Sequence, residues 1–223
     1  MELKIKDVAE LLQVPEKTVL DWIQSRKLPA LRINNQYRFT RAEVNEWILT
    51  NNVRISNRVL ELSEASQSVS LVRKLERGGV FYDIPGDTVE SVLRNAAASL
   101  PLPDGITQEL IVSILLEREE MMPTAMGNGI AMPHPRTPII ADDAESLSIC
   151  FTRQAIDYHS LDQVPVHTLF IILSANQRRH LQILSRLAFL CQKTEFVELL
   201  RGRAPRDELV AYISRMEAEI DRN

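Results

Sequence analysis

Two cysteines, four histidines, no net positive charge and no apolar run near the length of a bilayer constrain this 223-residue chain before any motif is considered. Cys150 and Cys191 are too few and too far apart for a zinc motif, and their apolar neighbours predict reduced core thiols. The longest apolar stretch, around "TLFIIL", is far short of a membrane span. The N-terminus "MELKIKDVAELL" alternates charged and apolar residues, unlike a secretory signal. A cytoplasmic protein without membrane contact is expected. With 26 basic against 30 acidic residues, net −4, the chain has no broad field for a polyanion, so any contact with nucleic acid must be local. What it does have is 45% hydrophobic and 25% charged residues, the balance of a folded globular protein. Its length predicts one large domain or two unequal ones.

The first fifty residues read as a small module. "IKDVAELLQVPEKTVLDWIQSRKLP" places Val8, Leu11, Leu12, Val19, Trp22 and Ile23 at helical spacings on either side of the turn "QVPE". Two short helices at a sharp corner are expected, with Pro15 in the first turn of the second. "ALRINNQYRF" alternates Leu31, Ile33, Tyr37 and Phe39 around Asn34-Asn35 and reads as a hairpin. "TRAEVNEWIL" then offers Thr40 as N-cap with Glu43 three residues on, ahead of Val44, Trp47 and Ile48.

From Arg26 to Arg41 lie five basic residues, Arg26, Lys27, Arg32, Arg38 and Arg41, and no acidic one. Residues 1–52 as a whole carry eight basic and seven acidic side chains, with Asp21 near the exposed face of the second helix, so one copy would hold a polyanion weakly. In element order and residues this stretch resembles the excisionase-type winged helix-turn-helix domain, related to the MerR group. The resemblance implies that the helix from Glu16 enters a major groove of double-stranded DNA and that the hairpin acts as a wing. It places Lys17 and Thr18 nearest the bases and Arg32, Arg38 and Arg41 near phosphates. Because one head carries little net charge, a homodimer on two half-sites is expected. The alternative is a module that docks on protein.

"NNVRISNRVLELSEASQSVS" is rich in Ser and Asn without Gly or Pro, and reads as a connector over residues 53–69. It divides a head, 1–52, from a larger domain, 70–223. There the pattern alternates a strand at Val80 to Ile84, helices at Asp87 to Ser99 and Thr107 to Glu119, buried strands "LSICF" and "VHTLFIIL", and three C-terminal helices. Strands interspersed with helices on this scale predict an α/β sandwich, a mixed sheet flanked by helices.

Between the second helix and the buried strands stands "GNGIAMPHPRTP", in which Pro133 and Pro135 remove two backbone donors and restrict the backbone around His134. Such a stretch presents an imidazole. "REEMMPTAMGNGIAMPH", followed after a gap by "HLQILSRLA", resembles the enzyme IIA domain of the fructose/mannitol type in the bacterial phosphotransferase system, including its nitrogen-regulatory relatives. The resemblance covers about residues 70 to 220. By it His134 aligns with the phosphorylated histidine, Arg118 with an active-site arginine and His180 with the second active-site histidine. Pro135 departs from the small residue often found after the family histidine.

The residue types suit the chemistry. A phosphoacceptor imidazole must be neutral, with one nitrogen exposed and the other held by a hydrogen bond. Phosphoryl transfer is mostly positioning and charge stabilisation, so Arg118 and His180 would receive phosphate oxygens, while Gly127 and Gly129 would turn N–H groups toward the anion. His159 and His167 carry no assigned role. A zinc site from His134, His167 and His180 finds no cysteine or carboxylate at ligand spacing, so neither metal nor cofactor is expected. The resemblance implies a phosphocarrier of the HPr or NPr kind as donor. Two outcomes stay open: a regulator whose phosphorylation alters binding to DNA or to another regulatory protein, or a phosphocarrier that passes the group to an enzyme IIB.

Overall fold

The computed structural model describes residues 2–12, 14–25, 28, 30–33, 36–40, 43–44, 47–48 and 69–220. The chain divides into two compact units, residues 1–65 and 66–223. Residues 53–68 of the connector expected at 53–69, and the Asn34-Asn35 turn, fall outside the described residues.

In the first unit, helices α1 (Ile5–Leu12) and α2 (Glu16–Gln24) meet at the turn containing Pro15. Pro15 occupies the N-cap of α2, one position earlier than expected, and its carbonyl accepts the Thr18 N–H at 2.9 Å. A cap residue needs extended backbone, and at φ −60° and ψ 146° the proline ring supplies it without strain. Strands β1 (Glu2–Leu3), β2 (Leu31–Ile33) and β3 (Gln36–Thr40) form an antiparallel sheet in the order β1-β3-β2. Thr40 and Glu43 make the expected reciprocal cap: the Glu43 N–H donates to Thr40 Oγ1 at 3.1 Å and the Thr40 N–H to Glu43 Oε2 at 3.3 Å. Val8, Leu12, Val19, Phe39, Val44, Trp47 and Ile48 form the core, with the Trp22 and Trp47 rings 5.0 Å apart.

The second unit is built on a mixed sheet in the order β4-β7-β8-β6-β5. Its strands are β4 (Val80–Ile84), β5 (Ala125–Gly127), β6 (Ile130–Ala131), β7 (Ser146–Ile156) and β8 (Val166–Leu173). Its helices are α3 (Leu71–Gly78), α4 (Val89–Ala97), α5 (Gln108–Met121), α6 (Gln177–Cys191), α7 (Thr194–Arg201) and α8 (Arg206–Ile220). From Leu169 to Leu173 the central strand β8 is apolar without interruption and buried, because both of its faces are covered there. Leu169, Ile171 and Leu173 pack with Val92, Leu93, Ile111 and Leu115 of α4 and α5. Phe170 stacks on Phe196 of α7, which stacks on Tyr212 of α8. Each such fully buried side chain contributes about 1.5 to 3 kcal/mol.

Two elements differ from the sequence expectation. Helix α3, not anticipated from the sequence, precedes β4, with Ser70 as its N-cap and the carboxylate of Glu217, from α8, accepting the Leu71 N–H and the Ser70 hydroxyl. The stretch before His134 forms a hairpin, β5–β6, two strands that the sequence pattern did not mark. Strands of three and two residues are too short for alternation to register.

Candidate functional site

Strands β6 and β8 run parallel, so their C-terminal ends open on the same side of the sheet, where open α/β sheets place their ligands. Pairing continues beyond β6, since the Ile172 N–H donates to the Pro133 carbonyl at 3.0 Å. The next residue is His134. On the neighbouring strand, β8 ends at Leu173 and the chain enters α6 through Asn176, whose side chain caps the helix by accepting the Arg179 N–H at 3.0 Å. His180 stands in that first turn, its N–H donated to the Asn176 carbonyl at 3.0 Å. Two adjacent strands thus deliver one imidazole each, and the rings meet with centroids 4.6 Å apart at 47°.

Nδ1 of His134 lies 2.7 Å from the Met132 carbonyl oxygen. A carbonyl only accepts, so Nδ1 carries the proton and, in the neutral ring, the lone pair sits on Nε2. One expectation is corrected here. His134 is 1% exposed and His180 7%, so the imidazole is enclosed rather than displayed on a loop. The cause is the parallel pairing at Pro133, which draws the residue against the sheet.

Arg118 is buried in the last turn of α5, and its Nη1 donates to the Met122 carbonyl at 2.8 Å. Its neighbour Glu119, which sequence reasoning did not single out, accepts the Thr124 N–H at 2.8 Å, the Thr124 hydroxyl, and the Tyr158 hydroxyl at 3.0 Å. Burial pushes the Glu119 carboxyl above its ordinary range, against the opposing pull of Thr124, Arg118 and Tyr158. Burial, reinforced by that same carboxylate, pushes the Tyr158 phenol up as well. The sequence signal was an acid in the last turn of a helix, the end at which the helix dipole disfavours negative charge.

The start of α6 is electropositive. Helices α4, α5, α7 and α8 carry acids in their first turns, whereas α3 and α6 carry none, and α6 has Arg178, Arg179 and His180 there. Cations at a helix N-terminus oppose the dipole and call for an anion. Glu145 supplies one fixed partner: its wholly buried carboxylate lies 2.7 Å from Arg179 Nη1 and 2.6 Å from Lys74 Nζ, and accepts the Ala175 N–H at 3.0 Å. Burial alone would raise its pKa, but the bonds from Lys74, Ala175 and Arg179 outweigh it and hold the carboxyl below the usual range.

Gly127 and Gly129, with Asn128 between them, turn the β5–β6 hairpin at φ +91°, +55° and +76°. A Cβ on Gly127 would meet Asp162 Oδ2 at 2.8 Å, and one on Gly129 would meet the His167 ring at 2.5 Å. Asp162 also accepts the Asn128 N–H at 2.8 Å. Since β6 runs from Ile130 beside Thr168 to Ala131 beside Leu169, this turn and His134 lie at opposite ends of the strand. Positive φ and crowding by Asp162 and His167 both favour a residue without a side chain at Gly127 and Gly129.

In the first unit, Lys17 is exposed in the first turn of α2 and Thr18 is half-buried. Arg32 is exposed, 6.0 Å from the Tyr37 ring centroid; Arg38 is half-buried and donates to Gln36 Oε1 at 2.5 Å and to the Tyr37 carbonyl at 3.2 Å. Arg32 pairs with Tyr37 and Leu31 with Arg38, which puts the two arginines on opposite faces of the ribbon. Arg41 lies outside the described residues.

Residues 74–216 match the family model described as "Phosphoenolpyruvate-dependent sugar phosphotransferase system, EIIA 2", and residues 2–52 match a "Helix-turn-helix domain" model. The chain is 31% identical over 127 residues to a nitrogen regulatory protein of Bradyrhizobium diazoefficiens, covering 55% of this chain and 79% of that one. It is also 31% identical over 102 residues to the fructose-specific EIIABC component of Bacillus subtilis, covering 45% of this chain and spanning 16% of that longer protein. The crystal structure of nitrogen regulatory protein IIA-Ntr from Neisseria meningitidis superposes with a TM-score of 0.54 at 23% identity, over 60% of this chain and 92% of that one, a likeness of fold.

Proposed function

We propose, on the ground that this chain belongs to the phosphoenolpyruvate-dependent sugar phosphotransferase system EIIA 2 family and carries a helix-turn-helix domain ahead of it, that it is a phosphohistidine-regulated DNA-binding protein. Its domains are a DNA-binding head at 1–52, a connector at 53–69 and the phosphorylatable domain at 70–223. Nε2 of His134 attacks phosphorus in a phosphohistidine carrier of the HPr kind. The donor's N–P bond breaks as the new one forms, and the proton stays on Nδ1, hydrogen-bonded to the Met132 carbonyl. His180 and Arg118 receive the phosphoryl oxygens.

The observation that carries this reading is the pairing of His134 with His180 at the electropositive start of α6, with the His134 tautomer fixed through Nδ1. Enclosure of His134 makes local opening of the cover over the ring a step in the transfer. Phosphorylation adds about two negative charges. Charge brought near a basic wing competes with DNA for it, so the phosphorylated form binds its operator more weakly. Titrating one operator with phosphorylated and unphosphorylated protein at fixed salt tests this. Equal affinities with equal oligomeric states contradict it, and onward transfer to a purified enzyme IIB would make the chain a phosphocarrier instead.

A further inference from the structure

We infer that Glu119 is a positioning residue for the phosphoacceptor, fixing the proton on Nδ1 of His134 and the seat of Arg118 through one continuous set of bonds; this rests on the reading of His134 given above. The set begins at the carboxylate. One oxygen of Glu119 accepts the Thr124 N–H at 2.8 Å, and the other accepts the hydroxyls of Thr124 and Tyr158. Thr124 is thereby pinned at both its backbone and its side chain, just before strand β5. Its own carbonyl accepts the Met132 N–H at 3.1 Å, and the Met132 carbonyl holds His134 Nδ1 at 2.7 Å. Each link fixes the orientation of the next peptide group. The acceptor that selects the His134 tautomer therefore stands on a backbone that Glu119 anchors.

The second arm is shorter. Arg118 adjoins Glu119 at the end of α5, and its guanidinium is bonded to the Met122 carbonyl at 2.8 Å, within the link that Glu119 and Thr124 close between α5 and β5. One carboxylate thus sets two groups of the site. Tyr158 completes it from the far side: it is fully buried just beyond β7, and its hydroxyl gives the carboxylate a third donor. An acid placed here for solubility or for an exposed ion pair would need none of these contacts.

The geometry also says which substitution should be tolerated. In Glu119→Gln the amide oxygen can accept the Thr124 N–H while the amide nitrogen donates to the two hydroxyls, which rotate to accept. In Glu119→Leu all three bonds are lost and Thr124 is released. The test uses the full chain, with the His134 tautomer read from the imidazole nitrogen and proton correlations of the unphosphorylated protein, and phosphorylation read as a single turnover from HPr.

Glu119→Leu is expected to give a mixed His134 tautomer and to slow transfer at saturating donor by about 10- to 100-fold, with the half-saturating donor concentration unchanged. Glu119→Gln is expected to restore both. Should Glu119→Leu fail to fold, Tyr158→Phe and Thr124→Val each remove one donor and should move the same two readouts in the same direction by less. A folded Glu119→Leu that keeps the parent tautomer and rate while losing thermal stability overturns the inference, as does a Glu119→Gln as impaired as Glu119→Leu. If the parent protein takes no label while Glu119→Leu still alters the tautomer, the phosphoacceptor reading fails and the positioning role stands.

Discussion

The Nδ1 atom of His134 lies 2.7 Å from the carbonyl oxygen of Met132, two residues earlier in the same chain. A histidine bonded so close to home cannot swing as an independent rotor, and the proton it shares leaves a single nitrogen for chemistry. The two prolines flanking it hold the same geometry from the backbone side. A ring built this way is preorganised for attack by Nε2.

His134→Ala should abolish phosphorylation and also cost stability. The ring is enclosed, so its loss strands the Met132 carbonyl and leaves a void, a penalty of about 1 to 3 kcal/mol. Urea unfolding and label uptake measure the two effects separately. Full uptake of acid-labile phosphate by the variant would remove His134 from the mechanism.

His180→Gln and Arg118→Ala should slow transfer without stopping it, because they stabilise charge while His134 forms the bond. Loss of one such donor costs about 2.7 to 4 kcal/mol of transition-state stabilisation. Single-turnover rates equal to the parent in both variants would return these residues to a purely structural part.

Glu145 makes stability depend on acid. Its folded pKa lies below the ordinary glutamate value, so the ionised form favours folding; that contribution is complete above the unfolded value, about 4.3, and is lost as pH falls through the lower folded value. Glu145→Gln should flatten this acid limb. It should also destabilise by less than the about 3 to 5 kcal/mol of a fully buried broken pair, since Arg179 keeps about a third of its side chain in water. Parallel stability profiles of parent and variant between neutral pH and the acid transition would refute the assignment.

Contacts from Lys17, Arg32 and Arg38 should make DNA affinity fall steeply with salt, and Arg38→Ala should lower the salt slope by about one. Selection from random duplexes by the full-length protein should enrich two half-sites spaced by about one helical turn or a multiple of it. No enriched motif, with affinity indifferent to salt, would point to protein docking by the head.

Much of this was legible in the sequence, and the reasons are particular. Val166–Leu173 was legible because its run from Leu169 to Leu173, covered on both faces, is apolar without interruption. Thr40 and Glu43 were legible because a reciprocal cap has a fixed spacing. The partnership of His134 with His180 was not readable from spacing, because it arises from two strands running parallel side by side. Glu119 and Glu145 were missed for a related reason: their partners lie five to 39 positions away for the first and 30 to 71 for the second. The enclosure of His134 was also hidden, since flanking prolines look alike whether a loop stands free or lies against a sheet.

The central claim is that His134 takes the phosphoryl group. Incubating the full-length protein with phosphoenolpyruvate, enzyme I and HPr, then mapping phosphopeptides under conditions that preserve phosphohistidine, addresses it directly. The account predicts one labelled peptide, the one containing His134, with the group on Nε2. Label on any other residue, or a folded protein that takes none, would contradict it.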